Sequence, residues 1–317
     1  MSKMIITAAV TGSIHTPSLS PYLPCDSKAV AEDAIRAHSA GAAVVHVHGR
    51  DPKNGRPSSD FALFQEMGEM INAGCNAPVC MTTGGRLDMT MEERLRPIIE
   101  LKPELASMNT GSLNFYIGGL AAKLKDPKFD WEIPYLVGTE NLIFSNTFQS
   151  QKRYCAAMYE AGTKPELEVY DSGMINNIKY QIDIGIIKTP IYIQFVLGIL
   201  GGIPATVQNL VHLHQSTLNA IGEPNFVWSV CAAGKAQLPI MAAAMAMGGN
   251  VRVGLEDNLY VGPGQLAKGS YEQVERVVKI AKELSIPIAS SDEAREILGL
   301  KGLAKVGFKA AVMNATA

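Results

Sequence analysis

The sequence predicts an α/β chain of the (β/α)8 TIM-barrel type with a C-terminal helical extension. Three observations carry that expectation. Short β-branched apolar runs recur along the chain, each followed by a turn and then a helical pattern, as in βα units built on a parallel sheet. There are eight such pairs in 317 residues, a size suited to one closed barrel. Hydrophobic residues make up 47% of the chain and charged residues 18%, so a large core is available and disorder is excluded. A doubly wound sheet is the alternative, because strand order is not written in the sequence.

The strand-like runs are Ile5–Val10, Val44–His48, Val79–Thr83, Leu105–Met108, Leu167–Tyr170, Tyr192–Leu197, Phe226–Cys231 and Val251–Leu255. Between them, Asp26 or Ser27 caps a helix over Lys28–His38, and Ser59-Asp60 caps one over Phe61–Ile71. Further helical patterns cover Met91–Ile99, Asn141–Ala161, Met174–Ile184, Thr206–Leu218, Leu238–Met247 and Tyr271–Leu284. Gly41, Gly74, Gly162, Gly185, Gly222 and Gly248-Gly249 fall where these helices should stop. One connection, near 114–138, is longer than the rest and reads as a lid, a partner surface or an unrecognised helix. Ser291–Leu300 forms another helical pattern in an extension near 287–317, which packs across the barrel or against another subunit. No linker or composition shift divides the chain, so residues 1–317 are expected to form one barrel domain.

A formal net charge of −2, with no run of Lys or Arg, argues against nucleic acid or an anionic membrane as partner. The five cysteines (Cys25, Cys75, Cys80, Cys155 and Cys231) are widely spaced and form no Cys-x-x-Cys, which fits a reducing compartment. No signal-like segment or spanning apolar run is found, so a cytoplasmic protein is expected.

The sharpest chemical signal is Val44-Val45-His46-Val47-His48. Residues two apart on a strand share a face, so His46 and His48 project together near the carboxyl end of the second strand, where barrel active sites lie. Two imidazoles begin a Zn²⁺ site that needs a carboxylate or third His besides. The alternative is a pair of core histidines bonded to their neighbours. His212 and His214 have the same spacing but lie on a helix, where they do not face each other, and read as polar groups turned to solvent. His38 reads as solvated.

In Asn250-Val251-Arg252-Val253-Gly254-Leu255-Glu256-Asp257-Asn258, alternation puts Arg252, Gly254 and Glu256 on one face. Glu256 is the natural third ligand, and Asp257 could act as a base beside Arg252; an ordinary ion pair with a helix-capping Asp is the plainer alternative. Three strand ends carry small polar groups: Thr82-Thr83-Gly84-Gly85, Ser107 to Ser112 with Asn109, and Glu168 to Gly173. Hydroxyls and N–H groups there suit a substrate carboxylate or oxyanion. Gln194 and Lys235 are weaker candidates. No Gly-x-Ser-x-Gly is present and no cysteine has an activating neighbour, which disfavours a Ser or Cys nucleophile.

Together these strings resemble the β-keto acid cleavage enzyme family. The similarity runs from Thr7-Ala8-Ala9-Val10-Thr11-Gly12 to Ala294-Arg295-Glu296-Ile297-Leu298. Its most specific pieces are His46-Val47-His48, Arg56-Pro57-Ser58, Thr83-Gly84-Gly85, Glu168 to Met174, Gln194 to Gly198 and Gly254 to Asn258. The resemblance implies a zinc-containing barrel, usually a homotetramer, that condenses a β-keto acid with acetyl-CoA to give acetoacetate and a new acyl-CoA. Carried over by position, it implies Zn²⁺ on His46, His48 and Glu256. Thr82, Ser107, Asn109 and Gly85 would hold the substrate, Asp257 would be the base supported by Arg252, and Glu168 would support a zinc histidine. Members acting on an amino-keto acid carry an acidic residue two positions after Thr-Gly; here Ile14 stands there. Ile14 and His15 therefore point to a neutral, anionic or bulkier substrate tail. The competing readings are an amidohydrolase-type metal hydrolase and a non-catalytic ligand-binding barrel.

Overall fold

The computed structural model describes residues 3–84 and 89–308. Eight parallel strands close into a barrel: β1 (Ile6–Ala9), β2 (Val44–Val47), β3 (Val79–Met81), β4 (Leu105–Asn109), β5 (Lys164–Val169), β6 (Ile191–Leu197), β7 (Phe226–Ala232) and β8 (Asn250–Val253). Each strand neighbours the next in sequence, and β1 closes the ring against β8. Helices follow the strands: α1 (Ser27–Ser39), α2 (Phe61–Gly74), α3 (Met91–Leu101), α4 (Phe148–Glu160), α5 (Ser172–Asp183), α6 (Val207–Ala220), α7 (Gln237–Ala246) and α8 (Ser270–Glu283). Side-chain caps from Asp26, Asp60, Thr90, Thr147, Asp171 and Thr206 start six of them.

Strand alternation divides the apolar material into two cores. Ile6, Ala8, Val45, Val47, Val79, Met81, Ala106 and Met108 face the helices. Ile5, Val44, Cys80, Leu105 and Tyr192 face inward and fill the floor of the barrel. Above that floor the interior turns polar, and strand register sets the polar groups side by side: Thr7 with Arg252, His46 with Cys80, Ser107 with Glu166, Glu168 with Gln194, and Gln194 with Ser229.

A ninth helix, α9 (Ser291–Leu298), closes the floor from below. Met4 pairs with Ile288, and Ala289, Ala294 and Leu298 join the inward-facing cluster. Arg295 grips the fully buried Glu104 through Nε and Nη2, at 3.0 and 2.8 Å. The extension thus packs across the barrel.

The connection near 114–138 crosses the carboxyl mouth. Leu113–Asn114 pairs antiparallel with Ile143–Phe144, and between them lie a 3₁₀ turn (Gly118–Lys123) and a short helix (Glu132–Val137). The buried Glu132 carboxylate accepts from the Ser18 N–H and hydroxyl, at 3.0 and 2.6 Å, and the Tyr135 hydroxyl donates to Ser13 O. This segment is tied to the loop after β1 and covers it.

Two local expectations are corrected and one is met. The helix read over Asn141–Ala161 starts only at Phe148, because Ile143–Phe144 is recruited by a distant strand and Thr147 supplies the cap. Gly74 is the last residue of α2, so the helix stops where expected; a Cβ there would stand 2.3 Å from Ile35 Cδ1. His38 and His214 are half-buried, not surface groups: His38 Nδ1 lies 2.9 Å from Ala42 O, and the His214 ring packs 4.8 Å from that of Trp228.

Candidate active site

The site grows from two strand ends. β2 carries His46 inward, and His48 follows just past the strand; their Nε2 atoms stand 3.0 Å apart. Across the closure of the barrel, β8 ends at Val253, two residues earlier than its apolar pattern suggests. Gly254 then takes φ +145°, where a Cβ would lie 2.0 Å from Ala9 O, so the chain turns tightly over β1 in a way only glycine permits. That turn keeps Glu256 aimed into the barrel. Gly12, at φ +63°, leaves open the space that the Glu256 side chain fills; a Cβ there would be 2.3 Å from Glu256 Cγ.

Glu256 Oε1 is 3.3 Å from His48 Nε2, and Oε2 is 3.6 Å from His46 Nε2. With the 3.0 Å between the imidazoles, these separations bracket the roughly 3.3 Å expected between ligand atoms around a tetrahedral ion with bonds of about 2.0–2.1 Å. Glu256 Oε2 is buried and has no hydrogen-bond partner among the described residues, which leaves it free to act as a ligand atom. One His/His/Glu group of metal-ligating atoms is therefore in place. Burial holds His46 well below its ordinary value, so it stays a neutral imidazole. Burial works against the Glu256 carboxylate, but Arg252 and the two imidazoles outweigh it and hold that group well below the usual carboxylate range. The neutral His46 imidazole, the neighbouring His48 ring and an ionised carboxylate oxygen form a donor set that suits Zn²⁺ and several other divalent ions.

Arg252 organises the other half of the site. Its Nη2 donates to Glu256 Oε1 at 2.7 Å, and Nε and Nη2 both donate to Asp257, each at 3.0 Å. The Glu168 carboxylate stands 3.7 Å from Nη1. Burial pushes Asp257 up to about 6 against the pull of Arg252, with the Glu256 charge adding to the rise. Glu168 is pushed up to about 8, chiefly by burial, despite Arg252.

Thr82, Gly84, Asn109, Ile14, Glu168 and Arg252 line one compact cavity with His48, Glu256 and Asp257. The Thr82 hydroxyl oxygen accepts from Gly84 N–H at 2.9 Å, which leaves its own hydrogen to donate inward. Asn109 Oδ1 is buried, with no hydrogen-bond partner among the described residues. This chamber opens into a cavity of about 650 Å³ that shares Ile14, Glu256 and Asp257 and is also lined by His15 and Lys235. The structure separates other expectations from the site. Ser107 is buried on the same face as Asn109 but one step deeper and lines neither cavity. Glu168 stands beside Arg252, whereas both histidine Nδ1 atoms have no hydrogen-bond partner among the described residues, so it does not buttress a histidine. Gln194 accepts from Ser229 below the site. Gly85 lies outside the described residues.

Residues that the sequence reading missed frame this centre. Arg50, fully buried, donates to Thr11 Oγ1, Thr11 O, Gly55 O and His15 O and so fixes the loop that carries Ile14. Arg94 does the same after β3, holding Thr83 O and Asn146. Cys80 and Glu166 lie beneath His46. Only Glu166 was signalled, by its two-residue spacing from Glu168.

Fold and site together define a (β/α)8 barrel with a buried two-histidine, one-carboxylate centre at the carboxyl ends of its strands. Residues 3–300 match the family of the beta-keto acid cleavage enzyme, and the chain belongs to that family. A 3,5-dioxohexanoate:acetyl-CoA acetone transferase from Paraburkholderia graminis is 42% identical over 306 residues, 96% of this chain and 98% of that one. A 3-keto-5-aminohexanoate cleavage enzyme from Fusobacterium nucleatum is 39% identical over 303 residues, 95% of this chain and 99% of that one. Among solved structures, apo ObcA superposes with a TM-score of 0.71 at 20% identity, over 89% of this chain and 66% of that chain, and so shares the fold.

Proposed function

We propose that this protein condenses a β-keto acid with acetyl-CoA, giving acetoacetate and a new acyl-CoA, at the centre formed by His46, His48, Glu256, Arg252 and Asp257. The observation that carries the reading is the sharing of Arg252 between a metal-type carboxylate and a second carboxylate poised near neutrality. His46, His48 and Glu256 would hold the Zn²⁺ that the resemblance implies, and such an ion polarises a ketone and steadies enolate charge. Thr82, Asn109 and the Gly84 region would receive the substrate carboxylate, with Ser107 behind them. Asp257 would take the proton from the carbon between ketone and carboxylate, with Arg252 restraining its basicity. That carbon then bonds to the acetyl carbonyl as the thioester C–S bond breaks. The released thiolate bonds to the original ketone carbon, the old C–C bond breaks, and the electron pair and proton end on acetoacetate.

Names borne by relatives at 39–42% identity support this reaction class, and Ile14 in the chamber wall supports a substrate without an ammonium tail. The test is mass spectrometry on metal-quantified protein given a panel of β-keto acids and isotopically labelled acetyl-CoA. Labelled acetoacetate with a matching acyl-CoA is the expected result. Hydrolysis of an amide or lactone without acetyl-CoA, and no labelled acetoacetate, would overturn it. The resemblance further implies a homotetramer, and light scattering on the purified protein tests it. Among the described residues no helix is long and apolar enough to cross a membrane.

A further inference from the structure

The turn that carries Glu256 and Asp257 lies past the end of β8, beyond the reach of the sheet's own ladder. Other groups hold its backbone. Leu255 N–H donates to the Ser270 hydroxyl oxygen at 3.3 Å, and Leu255 O accepts from His15 Nδ1 at 2.9 Å. Glu256 N–H reaches Ala9 O at 3.1 Å, and Asp257 N–H folds back to Gly254 O at 3.2 Å. The two backbone polar groups of Leu255 are thus fixed by side chains from other parts of the chain. Its own side chain is buried in a small separate core with Leu23, Leu259 and Ala267, while Glu256 beside it faces the barrel interior.

Ser270 is the first residue of α8, and a buried carboxylate fixes it in turn. Asp33, on α1 and 7% exposed, accepts from Ser270 N–H at 3.0 Å on each oxygen. Having accepted from Leu255, the Ser270 hydroxyl has its own hydrogen left for the same carboxylate. α8 lacks a side-chain cap of its own, because Gly269 stands at its N-cap. A Cβ at Gly269 would lie 2.5 Å from Asp33 Oδ1, so a usual capping residue there would displace the carboxylate. A Ser or Thr at position 269 would cap α8 without taking a charge out of water. What Asp33 adds is a continuous path to Ser270 and Leu255 that ends one residue before Glu256 and two before Asp257.

We infer that Asp33 and Ser270 are positioning residues of the active centre: through the Leu255 backbone they set the direction of Glu256 and Asp257 without touching substrate or metal. The inference rests on the ligand and base roles proposed for those two carboxylates. Without the Ser270 hydroxyl, the Leu255 N–H is left buried and unpaired next to Gly254, a residue with wide backbone freedom, and the turn resettles. A displacement of about 1 Å costs a reacting group about 10²-fold in rate. Contacts that orient metal ligands from behind are worth about 10–100-fold in affinity or activity.

The test measures the Zn²⁺ dissociation constant by competition with a chelator, together with kcat and KM for keto acid and acetyl-CoA, in wild type, Ser270→Ala, Asp33→Asn and Arg295→Ala. Ser270→Ala should weaken Zn²⁺ binding and lower kcat, each by about tenfold, with KM for acetyl-CoA unchanged. Asp33→Asn keeps one of the two oxygens that receive Ser270 N–H, so it should show the same losses in smaller degree, and it carries the comparison if Ser270→Ala does not fold. Arg295→Ala strips a contact from the floor of the barrel; it should lower the melting temperature yet leave Zn²⁺ affinity and kcat at wild-type values. In metal-free protein, hydrogen exchange at the Leu255 amide should quicken in Ser270→Ala. Wild-type Zn²⁺ affinity and kcat in folded Ser270→Ala and Asp33→Asn would overturn the inference, as would an equal loss in Arg295→Ala or unchanged exchange at Leu255. Tight Zn²⁺ binding by wild type with no turnover of any keto acid would instead sink the proposed reaction, and weakened Zn²⁺ binding in Ser270→Ala would still uphold the positioning role.

Discussion

At Asp257, burial and Arg252 pull in opposite directions, and the outcome near 6 leaves a carboxylate that both accepts and returns a proton around neutral pH. Asp257→Asn keeps the shape but gives up one of the two acceptors that Arg252 donates to, and it removes the basic carboxylate. Turnover should fall by about 10²–10⁴-fold, with metal content by elemental analysis unchanged; full activity would remove Asp257 from the role. His15 makes a separate prediction. Burial, resisted by the bond to Leu255 O, lowers its pKa from 6.5 to about 4. An unfolded chain therefore binds a proton between those values that the native chain refuses, and stability must fall as pH drops from about 6.5 to about 4. Melting temperature followed across that range should show a shallower acid decline in His15→Gln than in wild type, and parallel curves would count against it. The pairing of His46 with His48 was legible because strand alternation acts locally. The depth of Ser107 was not, since a residue's height in a barrel depends on the stagger of its neighbours. Arg50 and Arg94 were invisible for a related reason: they bind mainly backbone carbonyl oxygens, which leave no mark in the residue types around them.

Among the elements, α9 is held by few contacts of unequal weight. Glu104 is 1% exposed and accepts from Arg295 and from Gly302 N–H. Removing one partner of a buried pair strands the other, at a cost of about 3–5 kcal/mol. Arg295→Ala should therefore lower the unfolding free energy from denaturant titration by that order, whereas Asp292→Ala, whose carboxylate is largely exposed, should change it little. Equal effects would mean that the Glu104 contact carries no special weight. The sequence marked this helix well, through Ser290 and Glu293 at its start and Gly299 at its end, but not where it docks, because docking depends on a carboxylate nearly two hundred positions away. The same limit explains the misread start of α4. Periodicity ran through Ile143–Phe144, and only the distant Leu113–Asn114 draws those residues into a hairpin. Eight strands and the helices behind them were readable because each is a local pattern, and six of the helices carry their own side-chain caps.

For the whole molecule, the polar centre is joined to the stability of the barrel. His46 and His48 come from β2 and Glu256 from beyond β8, on opposite sides of β1, so an ion held by all three would pin the seam where the sheet closes. Such an ion binds only the closed state. Chelation should abolish activity and lower the melting temperature, and adding Zn²⁺ at about 100 times its dissociation constant should restore about 2.7 kcal/mol. His46→Ala should show no such zinc-dependent rise, and a rise equal to wild type would place the metal elsewhere. The seam has a further consequence, in time rather than in energy. Ile5 N–H bonds Asn250 Oδ1, 245 positions along the chain, and Met4 pairs with Ile288. While a ribosome is still making the middle of the protein, β1 has β2 on one flank and a bare edge on the other. That edge can template pairing with a neighbouring nascent chain until β8 and the floor segment emerge to cover it. Synthesis stalled before residue 250 should therefore yield aggregates, whereas synthesis carried through α9 should yield soluble chains.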